Sequence, residues 1–272
     1  MIQIQQIISH TRFKKFSFFS LCGCFIAACS YSEQVKQSHL NDFIADSIDG
    51  SSLPAKTVSL TFDDGPGPRS VELGRYLAVE GIEATFFVVG QNVARYKEET
   101  AELAKLGHLI ANHSYTHTAM TEADDPIAEI RDTDALISKL IPKNTYLFRP
   151  PYADWGARLP VILNKTLLKK YVGPVLWDVG GHTTKRYSAD WDCWAYNDPL
   201  ELCARGYMNE FRDKDRGIAL FHDIHSRTID MVKLHIVPAL KKEGFKFVRL
   251  DAVPDIKEAL AFAQKEPKPE KN

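Results

Sequence analysis

Two aspartates stand side by side at the end of an apolar run. In the stretch SLTFDDGPGP, Ser59 to Pro68, the residues Val58, Leu60 and Phe62 alternate with small or polar ones, the period of a half-buried strand. Asp63 and Asp64 follow, and Gly65-Pro66 turns the chain. Adjacent like charges repel, so one use for such a pair is an acidic turn open to water. The other is a metal site. One aspartate then becomes a ligand, and its neighbour stays free to take a proton from a water that the metal activates.

Imidazoles of suitable spacing occur further on. His113 and His117, in NHSYTH from Asn112 to His117, are four residues apart. One helical turn or a tight loop would aim both rings at one point, although a pair of this kind also occurs as a structural or solvated feature. Two imidazoles and one carboxylate leave positions open for water and substrate. That set suits a catalytic divalent metal, with zinc the first candidate. Two more polar clusters close apolar runs: FRPPY, Phe148 to Tyr152, and LFHD, Leu220 to Asp223.

The elements that must position these groups follow from periodicity. Strand-like runs at 56–62, 84–89, 108–112, 145–148, 174–179, 217–221 and 246–249 alternate with helical ones over 69–80, 92–106, 126–140, 157–169, 198–212, 228–242 and 253–263. Alternation of this kind predicts a parallel α/β architecture, and about seven units predict a distorted (β/α) barrel rather than an open sheet. Each polar cluster then falls at the C-terminal end of a strand, where barrels keep their chemistry. The chain has 272 residues, 44% hydrophobic and 25% charged, with a formal net charge of -1. It is long enough for one large domain, and its charge balance offers nothing to a nucleic acid.

The first residues have a different character. Arg12, Lys14 and Lys15 precede an apolar run from Phe16 to Ala28. That is the form of a secretory signal, and the run is short for a membrane span. IAAC, Ile26 to Cys29, resembles a bacterial lipobox. The resemblance implies cleavage before Cys29, lipidation of Cys29, and an extracytoplasmic protein anchored to a bacterial membrane, the outer membrane in a host that has two. An ordinary signal peptide that contains cysteines is the alternative. The expected organisation is a signal over 1–28, the lipidated cysteine and a tether over 29–54, one domain over 55–264, and a tail over 265–272. Cys22 and Cys24 leave with the signal. Cys193 and Cys203 remain, and in an oxidising compartment an even pair reads as a disulfide, with two buried thiols as the alternative.

TFDDGP, HSYTH, RPPY and LFHD, in this order and at these separations, resemble the polysaccharide deacetylases, the nodulation-deacetylase-like domains grouped as carbohydrate esterase family four. The resemblance covers roughly residues 55–250. It implies that Asp63 is the catalytic base and that Asp64, His113 and His117 hold the metal. It further implies that Arg149 orients the base, that the backbone N–H of Tyr152 meets the oxyanion, and that His222 is the general acid. Leu220 would line a pocket for the acetyl methyl. The plainer uses are a surface ion pair for Arg149, a groove wall for the Tyr152 ring and strand core for Leu220. The implied reaction is metal-assisted hydrolysis of acetamide groups on an N-acetylated glycan, with acetate released. Peptidoglycan N-acetylglucosamine is the leading substrate for an envelope lipoprotein. An O-acetyl esterase, an exopolysaccharide deacetylase and an inactive glycan-binding lipoprotein are the other readings.

One motif departs from the family pattern. The family places a tryptophan after the fifth strand, then an aspartate three residues on, which partners the acidic histidine. Aligned on Trp177, that position here is Gly180. Asp178 is the candidate partner of His222, and Asp190-Trp191 would restore the pattern if 181–189 is an insertion. His182, Tyr187, Trp191, Trp194 and Tyr196 crowd the same stretch. They suit either a loop that shapes the substrate groove, with Trp191 against sugar, or a loop packed onto the barrel. His225 reads as a solvated loop histidine, with a place lining the groove as the alternative, and His108 as a satisfied residue of the third strand.

Overall fold

The structure is a computed structural model that describes residues 47–181 and 187–263. The signal, Cys29, the tether up to residue 46, His182 and the tail lie outside the described residues. The first strand, β1 (Thr57–Asp63), is buried along its whole length, as a strand covered on both faces must be. Its side chains divide by parity. Leu60 and Phe62 pack outward with Phe86, Val88 and Ile110. Thr61 and Asp63 face inward, where Arg149 meets both.

The sheet runs β3 (Leu109–Asn112), β2 (Thr85–Val88), β1, β4 (Arg216–His222), all parallel. A short β5 (Lys246–Phe247) pairs with the start of β1. Beyond β3 the ladder continues as single parallel bridges: Asn112 with Phe148, Leu147 with Val172, and Val179 with Ala219 of β4. Through these links parallel backbone leads from β3 back to β4, in the manner of a distorted (β/α) barrel. The expected strands at 145–148 and 174–179 are therefore present only as bridges. Pro174 has no N–H to give a ladder, and Pro150 and Pro151 end the other segment.

The register sets the site. Asp63 is level with His222 and with Phe87, Val88 is level with Asn112, and Asn112 with Phe148. Each residue that follows these positions emerges at the same end of the barrel.

The helices cover the outside: α1 (Ser70–Val79), α2 (Gly90–Arg95), α3 (Lys97–Lys105), α4 (Pro126–Ile137), α5 (Arg158–Leu163), α6 (Asp190–Ala195), α7 (Leu200–Lys214), α8 (Ser226–Met231), α9 (Val237–Lys242) and α10 (Pro254–Ala263). The single helix expected over 92–106 breaks at Tyr96, whose ψ is 52°. The one expected over 228–242 is interrupted by a π turn at Val232–Ile236, ahead of Pro238. A π turn frees the carbonyl that the proline ring would otherwise strike.

The tether is shorter than expected. Ile48 N–H bonds to Pro174 O at 3.0 Å, and Leu176 N–H returns to Ile48 O at 2.8 Å. Leu53 is buried with Leu250, Ile256 and the inner side chains Leu109 and Ile218. Residues 48–54 thus belong to the domain, where they seal the end of the barrel opposite the site.

Candidate active site

Asp64 leaves the end of β1 with φ at 72°, a left-handed conformation that an aspartate holds only when its neighbours fix it. Asn92 Nδ2 donates to Asp64 O at 2.7 Å. His113 directly follows β3, and its Nδ1 faces the Arg149 carbonyl at 2.7 Å. A carbonyl only accepts, so Nδ1 carries the proton and Nε2 presents its lone pair. His117 sits in a loop rather than on a helix, with φ at 64°. Glu129 of α4 holds that loop by accepting from the N–H groups of Tyr115 and Thr116. His117 Nδ1 lies 3.2 Å from Tyr152 Oη.

Three donor atoms converge as a result. Asp64 Oδ1 is 3.4 Å from His113 Nε2 and 3.0 Å from His117 Nε2, and all the ligand atoms lie within 4.8 Å of one another. Asp64 Oδ1 is buried and accepts no hydrogen bond among the described residues. A carboxylate oxygen facing the lone pair of His113 Nε2 is repulsive unless a cation lies between them, and the nitrogen and oxygen atoms brought together here suit a divalent ion. Burial alone would raise the Asp64 carboxyl, but N–H donation and positive charge from the two facing imidazoles, when these are protonated, outweigh it and hold it well below the usual range.

Asp63 points into the barrel and is buried. Arg149 Nη1 donates to its Oδ1 at 2.7 Å and to Thr61 Oγ1 at 2.8 Å. The rest of the guanidinium is also satisfied, Nε by Val175 O and Nη2 by Leu176 O. Its plane lies 4.2 Å from the Phe87 ring centroid, and the Trp177 ring packs on it as well. Arg149 is thus no surface ion pair. It is a fully buried cation that fixes one oxygen of Asp63 and leaves the other, Oδ2, 3.7 Å from His113 Nε2.

His222 ends β4, and its partner is Asp190 rather than Asp178. Asp190 Oδ1 faces His222 Nδ1 at 2.7 Å, and Oδ2 accepts the His222 backbone N–H at 2.7 Å. Burial would lower the His222 pKa, but the Asp190 charge and hydrogen bond, with Asp64 and Asp63 behind them, push it up to about 9. Asp178 points elsewhere: its Oδ2 accepts from Gly50 N and Ile218 N, both at 2.8 Å. Ile218 lies four residues below His222, about 13 Å along a strand. Nor could an aspartate replace Gly180. Its φ is 94°, and a Cβ there would come within 2.6 Å of Leu220 O. The partner comes instead from α6, ten residues after Gly180.

Asp63, Asp64, His113, His117 and His222 line one cavity of about 580 Å³. Its walls include Tyr152, Trp177, Gly181, Trp191, Leu220 and His225. The aromatic stretch therefore divides. Trp191 is 45% exposed and faces the cavity. Trp194 turns inward and donates to Thr228 Oγ1 at 2.8 Å. Cys193 and Cys203 are joined by a disulfide that ties α6 to α7. Of the two readings of His225, the groove is the one found, and its place in the wall follows from the short turn between His222 and α8. His108 bridges Ala84 N and Gly74 O inside the fold.

Asp63 beside its arginine, His222 beside its carboxylate and the three convergent donors of Asp64, His113 and His117 thus meet around one cavity, an arrangement that suits hydrolysis. Comparison with known proteins gives the family. The sequence pattern described as polysaccharide deacetylase matches residues 50–170. A peptidoglycan-N-acetylglucosamine deacetylase of Bacillus cereus is 32% identical over 204 residues, 71% of this chain and 68% of the relative. A chitooligosaccharide deacetylase of Rhizobium leguminosarum is 30% identical, over 70% of this chain and 88% of the relative. The peptidoglycan-N-acetylmuramic acid deacetylase PdaC of Bacillus subtilis is 30% identical, and this chain spans 39% of its length. The solved PdaC structure superposes with a TM-score of 0.59 at 28% identity, covering 75% of this chain and 92% of that one. The chain belongs to the polysaccharide deacetylase family.

Proposed function

We propose that this protein removes acetyl groups from the amino sugars of an envelope glycan, with peptidoglycan N-acetylglucosamine the first substrate, and that Cys29 carries a lipid anchor that keeps it there. The observation that supports this most is the placing of Asp63 and His222 side by side in the strand register, in one cavity with Asp64, His113 and His117. The family and the printed activities of the relatives, on N-acetylglucosamine, N-acetylmuramic acid and chitooligosaccharide, point to the same chemistry.

Asp64, His113 and His117 would hold a divalent cation, with zinc the first candidate. Such an ion supplies a Lewis acid that lowers the pKa of water and polarises an acyl oxygen. Asp63, kept in one orientation by Arg149, accepts a proton from the attacking water. Tyr152 offers its backbone N–H to the developing oxyanion. His222, protonated up to about pH 9, gives a proton to the departing nitrogen. One proton is thus taken at Asp63 and one delivered at the amine, and the C–N bond breaks to leave acetate and a free amino sugar. Leu220 receives the acetyl methyl, and the Trp191 and Tyr152 rings flank the sugar.

Acetate release from purified peptidoglycan and from an N-acetylglucosamine oligomer tests this reading, with zinc supplied and with Asp63→Asn as control. The wild type is expected to release acetate, and the variant to retain zinc and lose turnover by about 10²-fold or more, the scale of a lost general base. No acetate from either polymer with zinc bound would sink the deacetylase reading.

A further inference from the structure

The turn that carries Asp64 is seated on a buried carboxyl for which the reaction above has no use. Asp223 directly follows His222 and is 1% exposed. Its Oδ2 accepts from Ser70 Oγ. Ser70 Oγ in turn accepts the Gly67 N–H at 2.7 Å. A hydroxyl has a single proton, so the direction of the chain is fixed from Gly67 through Ser70 to Asp223.

The contact with the turn is close. A Cβ on Gly65 would lie 2.3 Å from both carboxyl oxygens of Asp223, and one on Gly67 would lie 2.9 Å from Ile224 Cα. Neither glycine is in the left-handed region. What requires glycine at these two positions is therefore the approach of residues 223–224, not a backbone angle. Asp64 immediately precedes this turn and is itself left-handed, with φ at 72°. Asn92 fixes its carbonyl, and the Val89 N–H fixes the Gly65 carbonyl at 2.9 Å. Asp223 supports the opposite side. Among the described residues its Oδ1 has no hydrogen-bond partner, and burial pushes the carboxyl up to about 7. The residue's use is its shape and its bond to Ser70, which a neutral side chain of the same form can reproduce.

We propose that Asp223 is a positioning residue for the cation ligands: fixed by Ser70, it seats the Gly65–Gly67 turn and so holds Asp64 in its left-handed conformation. This rests on the cation reading given above.

The test is zinc affinity, measured by competition with a chelating dye on folded protein, for wild type, Asp223→Asn and Asp223→Ala. The alanine variant is expected to bind zinc about 10-fold or more weakly, the scale for residues that support metal ligands. The asparagine variant, which keeps the form and the Ser70 bond, is expected to stay within about twofold of wild type. Gly65→Ala should weaken zinc binding in the wild type and do so less in the Asp223→Ala background, because the clash is with that carboxyl. An alanine variant with wild-type affinity would overturn the proposal, as would an asparagine variant as weak as alanine. A wild type that binds no zinc would overturn the cation reading and this inference with it. Zinc bound without acetate release would count only against the deacetylase reading.

Discussion

Asp190 Oδ1 lies 2.7 Å from His222 Nδ1, although 32 residues separate the two in the chain. The direction of every proton around this pair is determined. Trp194 Nε1 can only donate, so Thr228 Oγ1 accepts from it and gives its own proton to Asp190 Oδ2 at 2.8 Å. Oδ2 also accepts the His222 N–H, and Oδ1 the Trp191 N–H. A carboxyl surrounded by donors is ionised, and although burial opposes this, the His222 charge and these bonds hold its pKa below the usual value. The proton between the pair therefore belongs to His222 Nδ1, and Nε2 is left for the cavity.

Asp190→Asn should accordingly shift the alkaline limb of kcat/KM downward. In the wild type the folded His222 pKa is raised to about 9, so the acid form persists to about that pH. Without the Asp190 charge, burial is opposed only by the more distant Asp64 and Asp63 and pulls the value back towards 6.5. Turnover at pH 7.5 is expected to fall about 10²-fold or more, with partial recovery as the pH is lowered. The same shift fixes a stability trend. A raised folded pKa means that the stabilisation is full below about 6.5 and is lost as the pH rises through about 9. The gap in Tm between wild type and variant should be widest near pH 6 and narrow above pH 9. An alkaline limb that stays near 9 in the variant would show that Asp190 does not set it.

Arg149→Met should act first on stability. The arginine is 0% exposed and donates to Asp63, Thr61 and two carbonyls. Methionine fills much of the space but leaves the Asp63 carboxylate buried without its cation, a change that costs about 3–5 kcal/mol. Denaturant unfolding measures it, and a loss below about 1 kcal/mol would mean that water or a rotated Asp63 replaces the pair.

What was legible in the chain depended on distance along it. Asp63, Asp64, His113, His117, Arg149 and His222 sit at strand ends, so a strand period and a cluster of polar residues locate them together. Asp190 was legible only as the alternative that an insertion over 181–189 would allow, because it lies beyond the strand end, on a six-residue helix reached through a loop. The carboxylate held as the candidate, Asp178, has its oxygen occupied by Gly50 and Ile218. Contacts that are purely tertiary left no trace either. Nothing in the polar run before residue 55 signals that Ile48 would bridge Val175, and Tyr96 gives no warning that it ends α2. The strands around residues 147 and 175 were placed correctly, yet their prolines reduce them to bridges.

Tyr152→Phe should weaken the cation site without emptying it. For His117 Nε2 to face an ion, Nδ1 must carry the ring's proton, and its acceptor is Tyr152 Oη at 3.2 Å. Phenylalanine keeps the ring wall and removes the acceptor. Zinc affinity is expected to fall about 10-fold, the lower end for a residue that orients a metal ligand, because this tyrosine is largely exposed and water can take part of its place. His117→Ala removes the ligand itself and should abolish zinc uptake. Equal affinity of the Tyr152→Phe variant and wild type would leave the tyrosine as a groove wall alone.

Loss of the Cys193–Cys203 bridge should be felt at the acid, not only in the fold. The bridge spans ten positions, and both cysteines are fully buried. A closed loop of that length contributes about 2–3 kcal/mol by restricting the unfolded chain. Cys193 lies on α6, one turn after Asp190 and beside Trp194, so the bridge also fixes the helix that presents Asp190 to His222 and Trp191 to the cavity. The double variant Cys193→Ser, Cys203→Ser is therefore expected to lose about that much in denaturant unfolding. Its alkaline limb should also move downward, in the direction of Asp190→Asn but less far, while zinc affinity stays as in the wild type, since Asp64, His113 and His117 lie on other elements. A variant with lowered stability and an unmoved pH profile would show that Thr228 and the His222 backbone hold Asp190 without help from the bridge.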